Sequence, residues 1–508
     1  MSAFKTVARN VLSNWAGFLV NAVVAFQLTP FVEQKLGSSQ WGFWSLLIAC
    51  TGYYGLLDLG IRSAVAQYVT RYFAKRDLDG VRRTVNTALG ILLTIAAGLV
   101  VLTLPFAWLA PHIFEIEGVD HDTTRLLFVI VGCGVALNLP LTIFQTATYA
   151  RQRFDLANGI GIVQRLGSAA LTWWALDSGH GLVAVSLIHL GGNLVGSWIH
   201  FGLSFRMLPG LRLTARDYSR DSVRELFGFS VWNVLINAAD QVQTHASALV
   251  ISIVISTKAF AHFNMGLILM PYALQLVNSI AWTLTPRATS LDAKGDRDGL
   301  RTLYLDGTRA IVAFAAVLSG GMILLGDDLL RLWVDPRYTA GTEYVSSSII
   351  LAVLTGGMML RSTVACAKQI CFGLREVRSL ARMTFAEAVL NIALTIGMVY
   401  WLGILGAAIA SVLAIVLTQV WMLPAFLGRR IEVPWTRLGR SVVAGGVVLA
   451  VMPLLHVSLF AGSVASSWGE FLLRAAALGL PGLFVAIAIG TTADEKARLF
   501  ARLRQKSA

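Results

Sequence analysis

The side chains of this 508-residue chain that could do chemistry are amides and charges set inside apolar runs. Asn10, Asn14, Gly17 and Asn21 follow one another at spacings of four, three and four residues. At one helical turn per 3.6 residues they share a narrow helix face. A later stretch repeats the pattern with Asn233, Asn237, Asp240 and Thr244, with Gln241 alongside. Two uses of such a stripe compete. Amides join membrane helices through hydrogen bonds of about 0.6–2 kcal/mol each, or they wall an aqueous cavity for a hydrated, sugar-bearing substrate. Recurrence in two distant helices favours the cavity.

Charges inside membrane spans cost more, at least about 2.5–3.5 kcal/mol at the bilayer centre. Asp58 and Arg62 stand four residues apart and read as lying within one helix, as a structural ion pair or a gating element. Arg165 falls well inside a span. Arg309, Arg361 and Arg382 lie within one or two turns of the ends of theirs, where snorkelling to the headgroups accounts for them. The guanidinium fork grips phosphate with two parallel bonds and keeps its charge. These arginines, with Asn14, Asn21, Asn233 and Asn237, therefore form a candidate pathway for a phosphate-bearing ligand presented from the cytoplasm. Glu387 pairs with Arg382 or Arg361, or titrates during transport. Asp58, Asp240, His245 and Glu387 are the candidates for gating or ion coupling, and His245 is the histidine to test for protons.

The remaining chemistry is sparse. His189, His200, His262 and His456 lie in apolar runs without metal-ligand spacing, and Cys50, Cys133, Cys366 and Cys371 form no CxxC pair. No phosphate-binding loop, nucleophile elbow or paired catalytic carboxylate stands out, so no catalytic residue, metal site or cofactor is expected. Energy would come from a proton or sodium gradient, the membrane potential or the substrate's own gradient.

Composition defines what must position these groups. Hydrophobic residues make up 56% of the chain, charged ones only 14%, and mean hydropathy is +0.68. That is too little charge to cover a soluble surface, so the fold expected is an all-α polytopic membrane protein. The run after Met1 reads as a first membrane helix rather than a signal peptide. Fourteen spans are expected, among them about 40–67, 303–325 and 343–365. With both termini cytoplasmic, this assignment leaves thirty-five of the 41 Lys and Arg residues on the inner side. Only Lys35, Arg125, Lys258, Arg331, Arg337 and Arg474 fall outside. A missed or invented span would invert every later loop and destroy that split. The net charge of +13 is thus a matter of topology and implies no nucleic acid partner.

The chain also repeats itself. Ala74-Lys-Arg-Asp-Leu-Asp-Gly-Val-Arg82 returns as Ala293-Lys-Gly-Asp-Arg-Asp-Gly-Leu-Arg301, at an offset of 219. Asn14 falls on Asn233 and Asn21 on Asp240 at the same offset, and Ala150-Arg-Gln152 matches Ala367-Lys-Gln369 at 217. Two parallel six-helix lobes are expected, over 1–220 and 221–428, followed by two additional helices and a cytoplasmic tail over 429–508. Glycines such as Gly397, Gly403 and Gly406 are expected to let helices pack closely.

The run Leu28-Thr-Pro-Phe-Val32, Leu36-Gly37, Trp41-Gly42 and Gly52-Tyr-Tyr-Gly-Leu-Leu-Asp-Leu-Gly-Ile61 resembles the polysaccharide-transport family. Its members are the Wzx-type flippases of the multidrug/oligosaccharidyl-lipid/polysaccharide exporter superfamily. The resemblance implies two lobes that alternate between inward- and outward-open states in the bacterial inner membrane. It implies a cationic cavity that passes an undecaprenyl-diphosphate-linked oligosaccharide for O-antigen, capsule or exopolysaccharide, while the prenyl tail stays in lipid. Membrane lipid, a polysaccharide polymerase and chain-length or export machinery are the other implied partners. The lipid II flippases of the superfamily resemble the chain less: they carry arginines in the first helix, where this chain has only amides and hydroxyls between Asn10 and Glu33. Two other functions compete with the flippase: a cation-coupled multidrug exporter, for which acidic, aromatic pockets would be expected, and a membrane glycosyltransferase or polymerase, for which a catalytic acidic motif and a large loop would be expected.

Overall fold

Apolar runs punctuated by Asp, Gly and Pro fold into helices, and every regular element among the described residues is helical. The structure is a computed structural model that describes residues 3–54, 60–114, 116, 118–151, 153–228, 231–460 and 463–490. The helices are α1 (Ala3–Tyr54), α2 (Ile61–Ala74), α3 (Leu78–Ile113), α4 (His121–Asn138), α5 (Thr146–Ala150), α6 (Phe154–Asp177), α7 (Leu182–Met207), α8 (Arg220–Gly228), α9 (Val231–Val254) and α10 (Thr257–Leu267). There follow α11 (Met270–Ala281), α12 (Leu284–Ala293), α13 (Arg297–Trp333), α14 (Arg337–Ala340), α15 (Ser347–Gly373), α16 (Val377–Leu417), α17 (Gln419–Ile431), α18 (Trp435–Phe460) and α19 (Trp468–Gly490). Packing divides the chain into two units, Met1–Ala261 and His262–Ala508.

Ten stretches among the described residues are long and apolar enough to cross a membrane. Two of them, Leu12–Gly52 and Val377–Ile431, run to 41 and 55 residues, well beyond the roughly 20 that one crossing needs. Glycines in a conformation that side chains disfavour interrupt both: Gly37 (φ 79°) in α1 and Gly403 (φ 59°) in α16. Gly406 then abuts Met398, where an added Cβ would lie 2.1 Å from the carbonyl oxygen. Close packing thus belongs to Gly406. Gly403 breaks the helix instead, and Gly397 faces open space.

The repeated loop is one structure built twice. Lys75 and Lys294 end their helices, and the next residue, Arg76 (φ 60°) or Gly295 (φ 68°), turns left-handed. Asp77 and Asp296 then cap α3 and α13, each accepting a hydrogen bond at 2.8 Å from the amide of Gly80 or Gly299. The final arginine of each copy pairs back to the second aspartate, Arg82 to Asp79 and Arg301 to Asp298. It also reaches a distant helix end or loop: Arg301 donates to the Ile431 carbonyl at 2.7 Å and to Glu432, and Arg82 lies 4.0 Å from Asp217. The motif is a cap and clamp.

Each unit has its own core. In the first, Ile61, Val65 and Val69 of α2 pack with Val85 and Leu92 of α3 and with Ile143 and Phe144. In the second, Ala313, Ala316 and Leu325 of α13 receive Val448 and Met452 of α18 and Leu478 and Ala486 of α19. A buried arginine fastens the same helices: Arg474 of α19 lies 3.3 Å from Asp328 of α13, pairs with Glu470, and donates to the carbonyl and hydroxyl of Ser463. Its guanidinium also lies over the Phe460 ring, 5.1 Å from the centroid.

The continuous span expected over about 40–67 is overturned. α1 ends at Tyr54, and α2 starts afresh at Ile61 behind Gly60, whose φ of 71° is incompatible with a through-going helix. Arg62 therefore sits exposed in the first turn of a new helix, not in a helix interior. Asp58, its expected partner, lies outside the described residues.

Candidate functional site

The amide stripe of α1 is zipped to α6 along a polar seam. Arg9 approaches Asp155 at 3.5 Å, and Asn158 donates to the Asn14 side-chain oxygen at 2.6 Å and to the Ser13 hydroxyl at 3.1 Å. Further along, Phe31 stacks on Trp173 with centroids 4.1 Å apart, and Lys35 meets Asp177 at 3.0 Å. These contacts set a parallel register. Two turns beyond Asn158 on the same face of α6 stands Arg165; two turns beyond Asn14 on the same face of α1 stands Asn21. The register brings that pair to one level. Arg165 is half-buried and makes no ion pair or hydrogen bond among the described residues, and its Nε is buried without a partner. His189 of α7 lies within its electrostatic reach. Asn21 is exposed and likewise unbonded among the described residues. A cation level with an exposed amide is an arrangement that can receive an anionic, hydroxyl-bearing group.

The second amide stripe lies on α9. Asn237 and Thr244 are exposed and Asp240 and His245 half-buried, while the side chain of Asn233 lies outside the described residues. Thr244 turns its hydroxyl back onto the Asp240 carbonyl at 2.7 Å. Gln241 donates to the Gly52 carbonyl at 3.0 Å, and His245 lies so close to Gly52 that an added Cβ would stand 2.1 Å from its Nε2. The stripe thus leans partly on the end of α1 and leaves Asn237 uncovered.

In the second unit the expected charges separate by environment. Arg361 donates from Nη2 to Glu387 Oε1 at 2.7 Å, joining α15 to α16, with Glu387 only 1% exposed. Of the two partners open to Glu387 in the sequence, Arg361 is the one it takes. Arg309 faces Asp306 at 3.9 Å. Arg382 is exposed and without an ion pair or hydrogen bond among the described residues. Arg382 stands within the first two turns of α16. α13 begins at Arg297 and α15 runs on to Gly373, so Arg309 and Arg361 stand about three turns inside their helices. Glu387 also belongs to a buried polar stripe on α16, Thr384, Glu387, Asn391 and Thr395, which bonds to Gln419 (3.3 Å) and Ser411 (3.3 Å).

Two features escaped the sequence reading. α7 carries His189, Asn193, Ser197, His200 and Ser204 at spacings of four, four, three and four, as regular as the stripe in α1. It is used inside the first unit: Gln164 of α6 donates to Asn193 at 2.8 Å, and Ser197 donates to Asn138 of α4 at 2.6 Å. The other is the Arg474 cluster, foreshadowed only by Glu470 four residues before it. The remaining outer basic residues show the same pairing. Lys35 with Asp177, Arg125 with Asp122, Arg331 with Asp327 and Arg337 with Asp335 lie 2.6–3.4 Å apart. These four and Arg474 each face a carboxylate.

The sequence profile of the polysaccharide biosynthesis protein family matches residues 7–291, more than half of the chain. The chain belongs to this family. The resemblance carried by residues 28–61 is therefore borne out. An uncharacterized membrane protein of Bacillus subtilis, EpsK, is 22% identical over 434 residues, 83% of each chain. A protein of Haloferax volcanii named as a probable low-salt glycan biosynthesis flippase, Agl15, is 21% identical over 460 residues, 89% of this chain and 91% of its own. Among solved structures, the lipid II flippase MurJ in an inward closed conformation superposes with a TM-score of 0.71 at 13% identity, covering 94% of this chain and 97% of its own. That likeness is one of fold.

Proposed function

We propose that this protein is a flippase for undecaprenyl-diphosphate-linked oligosaccharide units, moving them across the bacterial inner membrane for cell-surface polysaccharide. One observation carries the reading. Arg165 is a permanent cation midway along α6, taken here as a membrane span, without a counter-ion among the described residues and level with the exposed amide of Asn21. Such a charge is costly unless an anion or water offsets it in part of the working cycle. A diphosphate suits the guanidinium, and the sugars suit amides. Exposed Asn14, Asn21 and Asn237 support an aqueous wall, since lipid would leave their donors and acceptors unsatisfied.

Taking each glycine-broken stretch as two crossings and α6 and α9 as one each makes fourteen spans, in agreement with the charge split, and the reading puts both termini on the cytoplasmic side. In this reading the six-helix lobes over 1–220 and 221–428 alternate in access, and 429–508 contributes two further helices and the tail. No covalent bond changes. Asp240, His245 and Glu387 are the groups through which protons or sodium would couple to the motion. The relatives named as flippases support the transported class, and the absence of arginine between Asn10 and Glu33 favours a substrate other than lipid II. An uncompensated cation also disfavours a drug exporter for organic cations.

The test is complementation of a gene deletion at matched expression, with lipid-linked oligosaccharide pools measured on each leaflet. Deletion leaves the glycosylated carrier on the cytoplasmic side, and Arg165→Ala restores export far less than Arg309→Ala, whose arginine already faces Asp306. Unchanged pools on deletion sink the flippase, and the reverse order of variants sinks the role of Arg165.

A further inference from the structure

A second cationic feature belongs to the second unit, where α16 begins and α17 ends. Met383 of α16 and Met422, Ala425, Phe426, Arg429 and Arg430 of α17 line a cavity of about 460 Å³. Its floor is thioether, methyl and phenyl; its polar groups are two guanidinium forks. No amide or hydroxyl side chain is among these residues, so nothing in it is suited to gripping a sugar.

The charge around it is unbalanced. Arg429 is exposed and makes no ion pair or hydrogen bond among the described residues, and the same holds of Arg382, next to Met383, and of Arg437 and Arg440 at the start of α18. The neighbouring carboxylates are already engaged: Glu432 with Arg297 and Arg301, and Glu376 with Arg430 at 3.4 Å, a loose and exposed contact. The flank beside the cavity is apolar and open, with Trp421, Met422, Phe385 and Val389 all exposed. Trp421 packs near Trp435, centroids 5.8 Å apart, and paired tryptophans at a helix end mark the depth of the headgroups. The occupant of such a place has a phosphate for the arginines, an apolar body for Phe426 and the methionines, and no need of sugar contacts.

We propose that this cavity holds the headgroup of an anionic glycerophospholipid from the leaflet on the side of the basic loops. The phosphate is seated between Arg429 and Arg430, the glycerol lies against Phe426, and the acyl chains leave along the exposed flank of α16 and α17. The site shares no residue with the polar seam and does not depend on the transport reading.

Full-length protein in nanodiscs of equimolar phosphatidylglycerol and phosphatidylcholine, released for native mass spectrometry, provides the test. Phosphatidylglycerol is retained in preference to phosphatidylcholine. Arg429→Gln with Arg430→Gln lowers its retention roughly 30-fold, as expected for two basic residues at a membrane surface. The charge-matched control Arg216→Gln with Arg220→Gln leaves it unchanged. Should the double variant fail to fold, Arg429→Gln alone, at an exposed position, carries the test with a loss of about five-fold. Equal retention of phosphatidylcholine, or undiminished phosphatidylglycerol in the variants, overturns the proposal. So does displacement by undecaprenyl diphosphate at these arginines, which would make the carrier the occupant.

Discussion

Breaking the ion pair between α15 and α16 from its two ends should have unequal consequences. Glu387 is 1% exposed, whereas the Arg361 side chain keeps 36% of its surface accessible. Arg361→Ala leaves a carboxylate buried with neither oxygen paired, since Oε2 already lacks a partner. Removing one member of a buried pair in this way costs about 3–5 kcal/mol. Glu387→Gln keeps an amide oxygen in place to accept from Arg361, and the guanidinium can still reach water, so the loss is nearer one hydrogen bond, about 1 kcal/mol. The double variant strands no charge and should resemble Glu387→Gln alone, giving a coupling energy of about 3–5 kcal/mol, the whole loss of Arg361→Ala. Reversible unfolding in mixed micelles, titrated with sodium dodecyl sulfate, measures all four proteins on one scale. Equal losses from the two single variants, or strict additivity in the double, would refute the assignment of Glu387 as a buried charge held by Arg361.

Three other outcomes follow from the geometry. Asp77→Ala and Asp296→Ala should each lower stability by about 1 kcal/mol, because each removes a helix cap of the same construction; thermal melting of the purified protein checks whether the copies are equivalent. Arg76→Gly should raise stability by up to about 1 kcal/mol, since Arg76 adopts the left-handed conformation that Gly295 occupies in the other copy, and a fall in melting temperature would contradict this. Cysteines placed at Asn21 and Asn237 should react with a membrane-impermeant maleimide, while one at Thr395, fully buried on α16, should not; protection at the first two would return the amide stripes to helix packing.

What the sequence revealed, and what it hid, divides along a physical line. Helical class, repeat and family were legible because each is written in local pattern: long apolar runs, the recurring Lys-x-Asp-x-Asp-Gly-x-Arg, and the Gly-Tyr-Tyr-Gly run. The break before Arg62 was hidden because apolarity continues through Leu56, Leu57 and Leu59, and hydropathy does not register the backbone angle at Gly60. The length of α15 beyond Arg361 was hidden for a related reason. Hydropathy marks where lipid ends, but α15 carries on through Lys368 and Gln369, and buried Gln369 accepts a hydrogen bond from Thr285 of α12 at 2.8 Å. Pairing was the least visible property. Nothing local distinguishes Glu387 with Arg361 from Glu387 with Arg382; the choice depends on how α15 and α16 lie against each other.

Pairing is also what sorts the arginines by use. A guanidinium facing its own carboxylate presents little net field, and an incoming phosphate must compete with that partner. Arg361 and Arg474 are spoken for in this sense, and each joins two helices. Arg382 and Arg429 are free of such partners but stand exposed near helix ends, where water and headgroups already solvate them. Arg165 differs from both kinds, being neither neutralised nor fully solvated, and its neighbour in electrostatic reach is a histidine rather than an acid. That combination maximises the gain when an anion arrives, because little existing solvation has to be given up. It follows that installing a carboxylate opposite Arg165, by Asn21→Asp, should impair export about as severely as Arg165→Ala while leaving the folded protein at least as stable. Asn21→Ala, which removes the amide but leaves the cation bare, should be milder. Export assayed beside melting temperature separates these outcomes, and an Asn21→Asp variant with unimpaired export would mean that the charge of Arg165 is not used.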